Sequence, residues 1–408
     1  MTPSTILTLS NVQLDLALHR IPDPTSTGDQ AERLIQKAII SMKMLVREID
    51  NDPDFIHAYS TILRNAWPGI WGWTIFIHRQ CVIELNYGEA LRHHALRAIP
   101  AIITALGNQF EPGLHSLISN TPGIIELITP YWLQEDVDDK SHLINDAGYA
   151  ANFSTALNCL LPLDHDRTHL LSLVVNSTEG AELGVARVAI SHAQAVFLCG
   201  ERDYDNSAVT HLALISKFLQ QDCPGLKLAM FKEGSVEAII RILDMIAGEE
   251  SPGAVDTLAI KICYEILSRA LTVACSLTFI TQGLDAGLLQ AMLRGGRHLT
   301  EPGIVKTALY CFNQLRQLMV YRSFLRSLGK VVKKIDGKSV DERASRLLWN
   351  AWLGLKVATA EHLKDMEVFD IKETNGKGDS NCERSAVSWQ KNCLCAVSHI
   401  NTSIVPSS

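Results

Sequence analysis

Apolar residues in this chain recur at steps of three and four, and no run of clean period-2 alternation is bounded by turn residues. Steps of three and four trace one face of an α-helix, which leaves little room for a sheet. The clearest case is Ser235 to Ala247, where Val236, Ile239, Ile240, Leu243, Ile246 and Ala247 fall on one face. Gly234 punctuates its start, Ser235 can cap it, and Glu237 suits the positive end of the helix dipole. Aromatic residues are only 6% of the chain while Leu, Ile and Ala abound, which leans the same way. The expected fold class is all-α.

A short pattern recurs within this background: two large apolar residues, a spacer, an apolar residue and another large apolar residue. It occurs as Ile102-Ile103-Thr104-Ala105-Leu106, Ile124-Ile125-Glu126-Leu127-Ile128, Ile239-Ile240-Arg241-Ile242-Leu243 and Leu288-Leu289-Gln290-Ala291-Met292. Each copy follows a turn or helix-start residue, read as Pro100, Pro122-Gly123, Gly234 and Gly283. The last two copies are 49 residues apart and the first two 22, while the 115-residue gap between Ile124 and Ile239 is not a clean multiple of 49. In helical repeats a turn residue bends the chain and the next helix lays its apolar face along a shared core. The reading is an irregular armadillo/HEAT-like helical solenoid over residues 28–369, after an N-terminal lead-in at 1–27; an irregular α-bundle is the alternative. Helices are expected at 29–49, 53–64, 72–84, 88–97, 100–107, 112–118, 122–133, 142–160, 166–175, 182–199, 206–221, 235–247, 254–276, 283–293, 302–326 and 339–369. The last opens on a capping box, Ser339-Val340-Asp341-Glu342.

A chain of 408 residues has room for one to three domains with a large core. Its formal net charge of −7 argues against a nucleic-acid footprint along the whole chain. The first twenty residues lack the basic and long apolar regions of a secretory signal, and no apolar run reaches the ~18 residues of a membrane span. The expected compartment is therefore intracellular, cytoplasmic or nuclear, with no membrane partner. Sequons at Asn152, Asn176 and Asn401 then read as chance matches. Of the ten cysteines, Cys81, Cys159, Cys199, Cys223, Cys263, Cys275 and Cys311 are scattered singly, several in apolar helical patterns, and read as core thiols.

After Phe369 the composition changes to a tail rich in Ser, Thr and Asn, with a linker-like NGKGDSN at 375–381. Residues 370–408 are expected to be a flexible tail unless a metal or partner holds them. Cys382, Cys393, Cys395 and His399 lie there in the order Cys-x10-Cys-x-Cys-x3-His. Four N/S ligands can close a tetrahedral zinc site, but a Cys-x-Cys pair chelates less commonly than Cys-x-x-Cys, and free thiols are the simpler reading.

The Trp-containing helix Arg343 to Phe369, the polar linker, Asn381-Cys382-Glu383 and Lys391-Asn392-Cys393-Leu394-Cys395 together resemble the fungal proteins with an armadillo-like helical body and a C-terminal MYND-type zinc finger. The resemblance implies a zinc-dependent interaction module at 370–408, with Cys382, Cys393, Cys395 and His399 as the metal-ligand candidates. The chain departs from the family: it lacks the Cys-x-x-Cys pairs and the closing His-x-x-x-Cys, so any finger here is truncated or decayed.

Other motifs carry less. His165-Asp166-Arg167-Thr168-His169 has the i, i+4 histidines of a zincin helix without a third ligand, and reads as a surface helix start. Glu135, Asp136, Asp138 and Asp139 read as a solvated loop rather than a magnesium cluster. Trp67, Trp71, Trp73 and Phe76 form a peptide anchor or, more simply, core packing between helices. Lys330, Lys333, Lys334 and Lys338 read as a solvated basic linker. No glycine-rich phosphate loop or nucleophile elbow is present. The function expected is a non-enzymatic protein-protein interaction or scaffold protein with an unnamed protein or peptide partner, no cofactor beyond the zinc alternative, and nucleic acid disfavoured; an all-α enzyme is the remaining class.

Overall fold

The structure is a computed structural model, and it describes residues 21, 28–52, 54–107, 111–135, 152–161, 168–199, 206–220, 223–250, 252–273, 277–336 and 346–375. Among them are seventeen α-helices, two π-helical turns and no strand. The helices are α1 Asp29–Asn51, α2 Phe55–Ile77, α3 Gly88–Gly107, α4 Pro112–Ser119, α5 Ile124–Leu133, α6 Phe153–Leu160, α7 Thr168–Asn176, α8 Ala181–Gln194 and α9 Asn206–Gln220. Then come α10 Pro224–Lys232, α11 Ser235–Ile246, α12 Ala254–Thr272, α13 Leu277–Asp285, α14 Leu288–Gly296, α15 Pro302–Leu318, α16 Arg322–Asp336 and α17 Arg346–Asn375. The chain divides into two compact units, residues 1–196 with 200–217, and residues 197–199 with 218–408.

Helix order carries a repeat that the apolar pattern only half shows. Four times the chain makes a short helix, a glycine in the left-handed region, a second helix, then a third. The short helices start at residues 112, 168, 224 and 277. The glycines are Gly123 (φ 84°), Gly180 (φ 80°), Gly234 (φ 84°) and Gly287 (φ 101°). A positive φ costs glycine nothing and other residues much, so these are the points where the chain can reverse in one residue. Their spacing is 57, 54 and 53 residues. Two turn assignments made from sequence are therefore corrected. Pro100 is a buried residue inside α3, and Gly283 lies within α13, where a Cβ would sit 3.0 Å from Val236 Cγ1 and 3.1 Å from Ile240 Cδ1. Gly283 serves close approach of α13 to α11; Gly287 makes the turn.

In the second unit, successive repeats pack like on like. α11 packs on α14, α12 on α15, and α13 on α16. α17 then covers α14, α15 and α16. Ile239, Ile240 and Leu243 are fully buried here, as Ile124, Ile125 and Ile128 are in the first unit. In that first unit α1 packs on α2 and α3, α3 on α6, and α5 on α6 and α7.

Other boundaries move for physical reasons. α2 runs through Pro68, Gly69 and Gly72 without a break, because Leu63, Trp67, Ile70, Trp73 and Ile77 on one side are buried while Pro68 and Gly69 face solvent. The residues expected as one helix at 302–326 are two, α15 and α16, with a turn at Met319 to Tyr321. The last helix reaches Asn375, past Phe369. The capping box at 339–342 lies outside the described residues.

Candidate functional site

The most built polar cluster in the first unit surrounds α6, an eight-residue helix held by side chains at both ends. At its N-terminus Asn152 Oδ1 accepts from Thr155 N (2.8 Å) and Thr155 Oγ1 (2.6 Å). Glu135, just past α5, accepts from Phe153 N (3.0 Å) and Ser154 N (3.2 Å) and also from the Ser154 hydroxyl. These bonds satisfy amides that a helix start leaves without partners. At the C-terminus Lys217 of α9 donates to Leu161 O (2.6 Å) and to Asn158 O, and His115 Nε2 lies 3.0 Å from Cys159 O. A carboxylate at the start and an ammonium at the end both oppose the helix dipole favourably. Burial works against each charge: it pushes the Glu135 carboxyl up to about 7 despite its hydrogen bonds, and draws the Lys217 ammonium down to about 8. Both groups are thus committed to the helix ends, and the expectation of Glu135 in a solvated loop is corrected: burial and the amides at the start of α6 hold it. The sequon at Asn152 is likewise taken up, since that side chain is 7% exposed and caps α6.

A second cluster joins α8 and α9. The His192 and His211 rings meet edge to face at 5.5 Å, and Trp132 of α5 meets His192 edge to face at 6.1 Å. Nδ1 of both histidines is buried without a hydrogen-bond partner. Burial draws His192 down to about 4 and His211, which His192 also opposes, down to about 3. Two neutral imidazoles could offer two ligands, but among the described residues no three His, Cys, Asp or Glu side chains gather as a metal group.

The sequence-derived candidates fall as follows. Cys382, Cys393, Cys395 and His399 lie outside the described residues, as do Asp136, Asp138, Asp139, His165 and Lys338. His169 is an exposed residue of α7. Trp67 and Trp73 are buried, with Trp67 Nε1 donating to Thr121 Oγ1 (2.8 Å) and Trp73 edge to face with Phe76 at 5.8 Å. They are core, not a peptide anchor. Cys81, Cys263 and Cys311 are buried free thiols whose ionisation burial opposes, the last pushed up to about 12. Lys330, Lys333 and Lys334 belong to α16 rather than to a linker. Neither histidine cluster nor helix clamp was visible in the sequence, because their members are far apart along the chain. Compared with known proteins, the chain matches no family model and no curated protein sequence at a significant level.

Proposed function

We propose that the chain is a non-enzymatic binding or scaffold protein built on irregular armadillo/HEAT-like helical repeats. The supporting observation is the fourfold recurrence of short helix, left-handed glycine, second helix and third helix at 53–57 residues. Repeats of this kind present extended surfaces suited to a peptide or a partner helix. The fate of the polar residues also favours binding over catalysis: Glu135 and Lys217 hold helix ends, and the cysteines of the described core are buried or unpaired thiols. Free thiols and a sequon spent on a helix cap suit a cytoplasmic or nuclear protein. Among the described residues no helix is long and apolar enough to cross a membrane.

The resemblance to fungal MYND-type proteins enters as a variant of this proposal, in which Cys382, Cys393, Cys395 and His399 would bind zinc in a shortened finger. The test of the main reading is affinity capture of the full chain from its native cells, followed by size-exclusion chromatography. A second protein at fixed stoichiometry through both steps supports it. The chain recovered alone, under conditions where a turnover assay finds a substrate, overturns it.

A further inference from the structure

We infer that the exposed face of α16 docks an acidic peptide segment of a partner protein. This rests on the binding-protein reading above and names the class of its partner. α16 carries Arg322, Arg326, Lys330, Lys333 and Lys334 against a single acid, Asp336, in a chain whose net charge is −7. Steps of four and three place these bases on one helix face. Arg326, Lys330, Lys333 and Lys334 are all exposed and span about 12 Å at 1.5 Å per residue. The opposite face is locked, since Phe324, Leu325 and Leu328 are fully buried and Val331, Val332 and Ile335 nearly so.

The helix itself shows what fits this face. The Asp370 carboxylate of α17 sits 3.4 Å from Arg322 Nη1 and 3.2 Å from Arg326 Nη2, bridging two bases one turn apart. One turn further on, Lys330 and Lys334 repeat that spacing, with Lys333 beside them. Among the described residues no carboxylate pairs with any of the three. Four exposed arginines elsewhere are matched within the chain, Arg64 with Glu111, Arg79 with Glu84, Arg241 with Glu237 and Arg294 with Asp244, while Arg33 and Arg47 of α1 are exposed and, among the described residues, unpaired. Lone exposed lysines such as Lys306 are also unpaired among the described residues. What sets Lys330, Lys333 and Lys334 apart is their gathering at the spacing that Asp370 bridges one turn earlier, and there carboxylates from outside complete the pattern. A polynucleotide fits less well, because the patch is short and the exposed positions of α16 carry no aromatic side chain for bases to stack on. A lipid surface fits less well because the exposed positions of this face carry no apolar side chains to insert.

The test uses the full-length chain and a fluorescein-labelled octaglutamate peptide, read by anisotropy at low salt. The wild type should bind it, more weakly as salt rises, and K330Q/K333Q/K334Q about tenfold more weakly than wild type. K306Q, an exposed lysine of α15, should bind like wild type. Octathymidylate and phosphatidylserine vesicles serve as competing probes. Equal binding by wild type and the triple variant, or tighter binding of either competing probe, overturns the assignment. If a natural partner captured as above still binds the triple variant, the acidic-peptide face falls while the scaffold reading stands.

Discussion

Acidification from pH 7 to 5 should weaken the first unit through His192 and His211. Both imidazoles are held neutral by burial, near 4 and 3 against an ordinary 6.5. The unfolded chain therefore binds more protons than the native one once the pH falls below 6.5. The stability contributed by the pair is complete above that value and drains away as the pH falls towards 4 and 3. One proton taken up only on unfolding is worth about 1.36 kcal/mol per pH unit, so each histidine loses about 2 kcal/mol between pH 7 and 5. At 7% and 3% exposure the two rings gain little from solvent screening. Glu135 acts in the opposite direction. Its native carboxyl titrates near 7 against an ordinary 4.5, so its contribution is full below 4.5 and lost as the pH rises through 7. It returns about 2 kcal/mol on the same acidification, masking half of the effect in the wild type. Urea unfolding at pH 7 and 5, followed by tryptophan fluorescence, to which Trp67, Trp71, Trp73 and Trp132 of the first unit contribute, separates the two effects. The His192→Leu/His211→Leu variant should lose about 4 kcal/mol less than wild type on acidification. The same pH dependence in both proteins would refute the assignment of these histidines as neutral core groups.

Three further outcomes are expected. Gly184→Ala should destabilise the chain by about 3 kcal/mol, because its Cβ would lie 2.2 Å from the Glu179 carbonyl oxygen; a melting temperature within a degree of wild type would contradict this. Ile240→Ala, at a site 1% exposed between α11 and α13, should cost about 2–5 kcal/mol in chemical denaturation, and a loss under 1 kcal/mol would show the site is not packed. Metal analysis of protein purified without chelator should find no stoichiometric zinc; about one zinc per chain, lost in C393S/C395S, would promote the zinc-finger reading.

The apolar period was legible because it is local: every helix face read around Ser235 to Ala247 is buried as its spacing requires. Gly234 was legible as well, being followed at once by a strong apolar face; the expected cap from Ser235 is not made, since Gly234 is itself the N-cap and Ser235 Oγ is buried without a hydrogen-bond partner. The repeat was not, for two reasons of chemistry. Glycine serves both as a positive-φ turn and as a gap for a neighbouring helix, and in Gln282-Gly283-Leu284-Asp285-Ala286-Gly287 the sequence does not say which glycine does which. Counted to Gly283 the step from Gly234 is 49 residues, and counted to Gly287 it is 53, in line with the other two. Gly180 carries no such local signal, because α8 opens on Ala181-Glu182-Leu183-Gly184, without the paired large residues of the other copies. Pro100 misled in the opposite sense, since a proline on a well-packed helix is carried along by the burial of Ile99, Ile102 and Ile103. The clamp on α6 and the paired histidines depend on tertiary contacts, Glu135 with Phe153 and Lys217 with Asn158, that no local pattern encodes.

The central claim, that these helices form repeats in register, is tested most directly by circular dichroism and urea unfolding of two deletions of equal length in the second unit. Removing residues 277–321 takes out one whole repeat, α13 to α15, and leaves α16 and α17 to stack on α11 and α12. Removing residues 255–299 cuts across two repeats. The account predicts that the first variant keeps its helicity per residue and a cooperative transition, while the second loses both. Collapse of both variants, or equal survival of both, would contradict it.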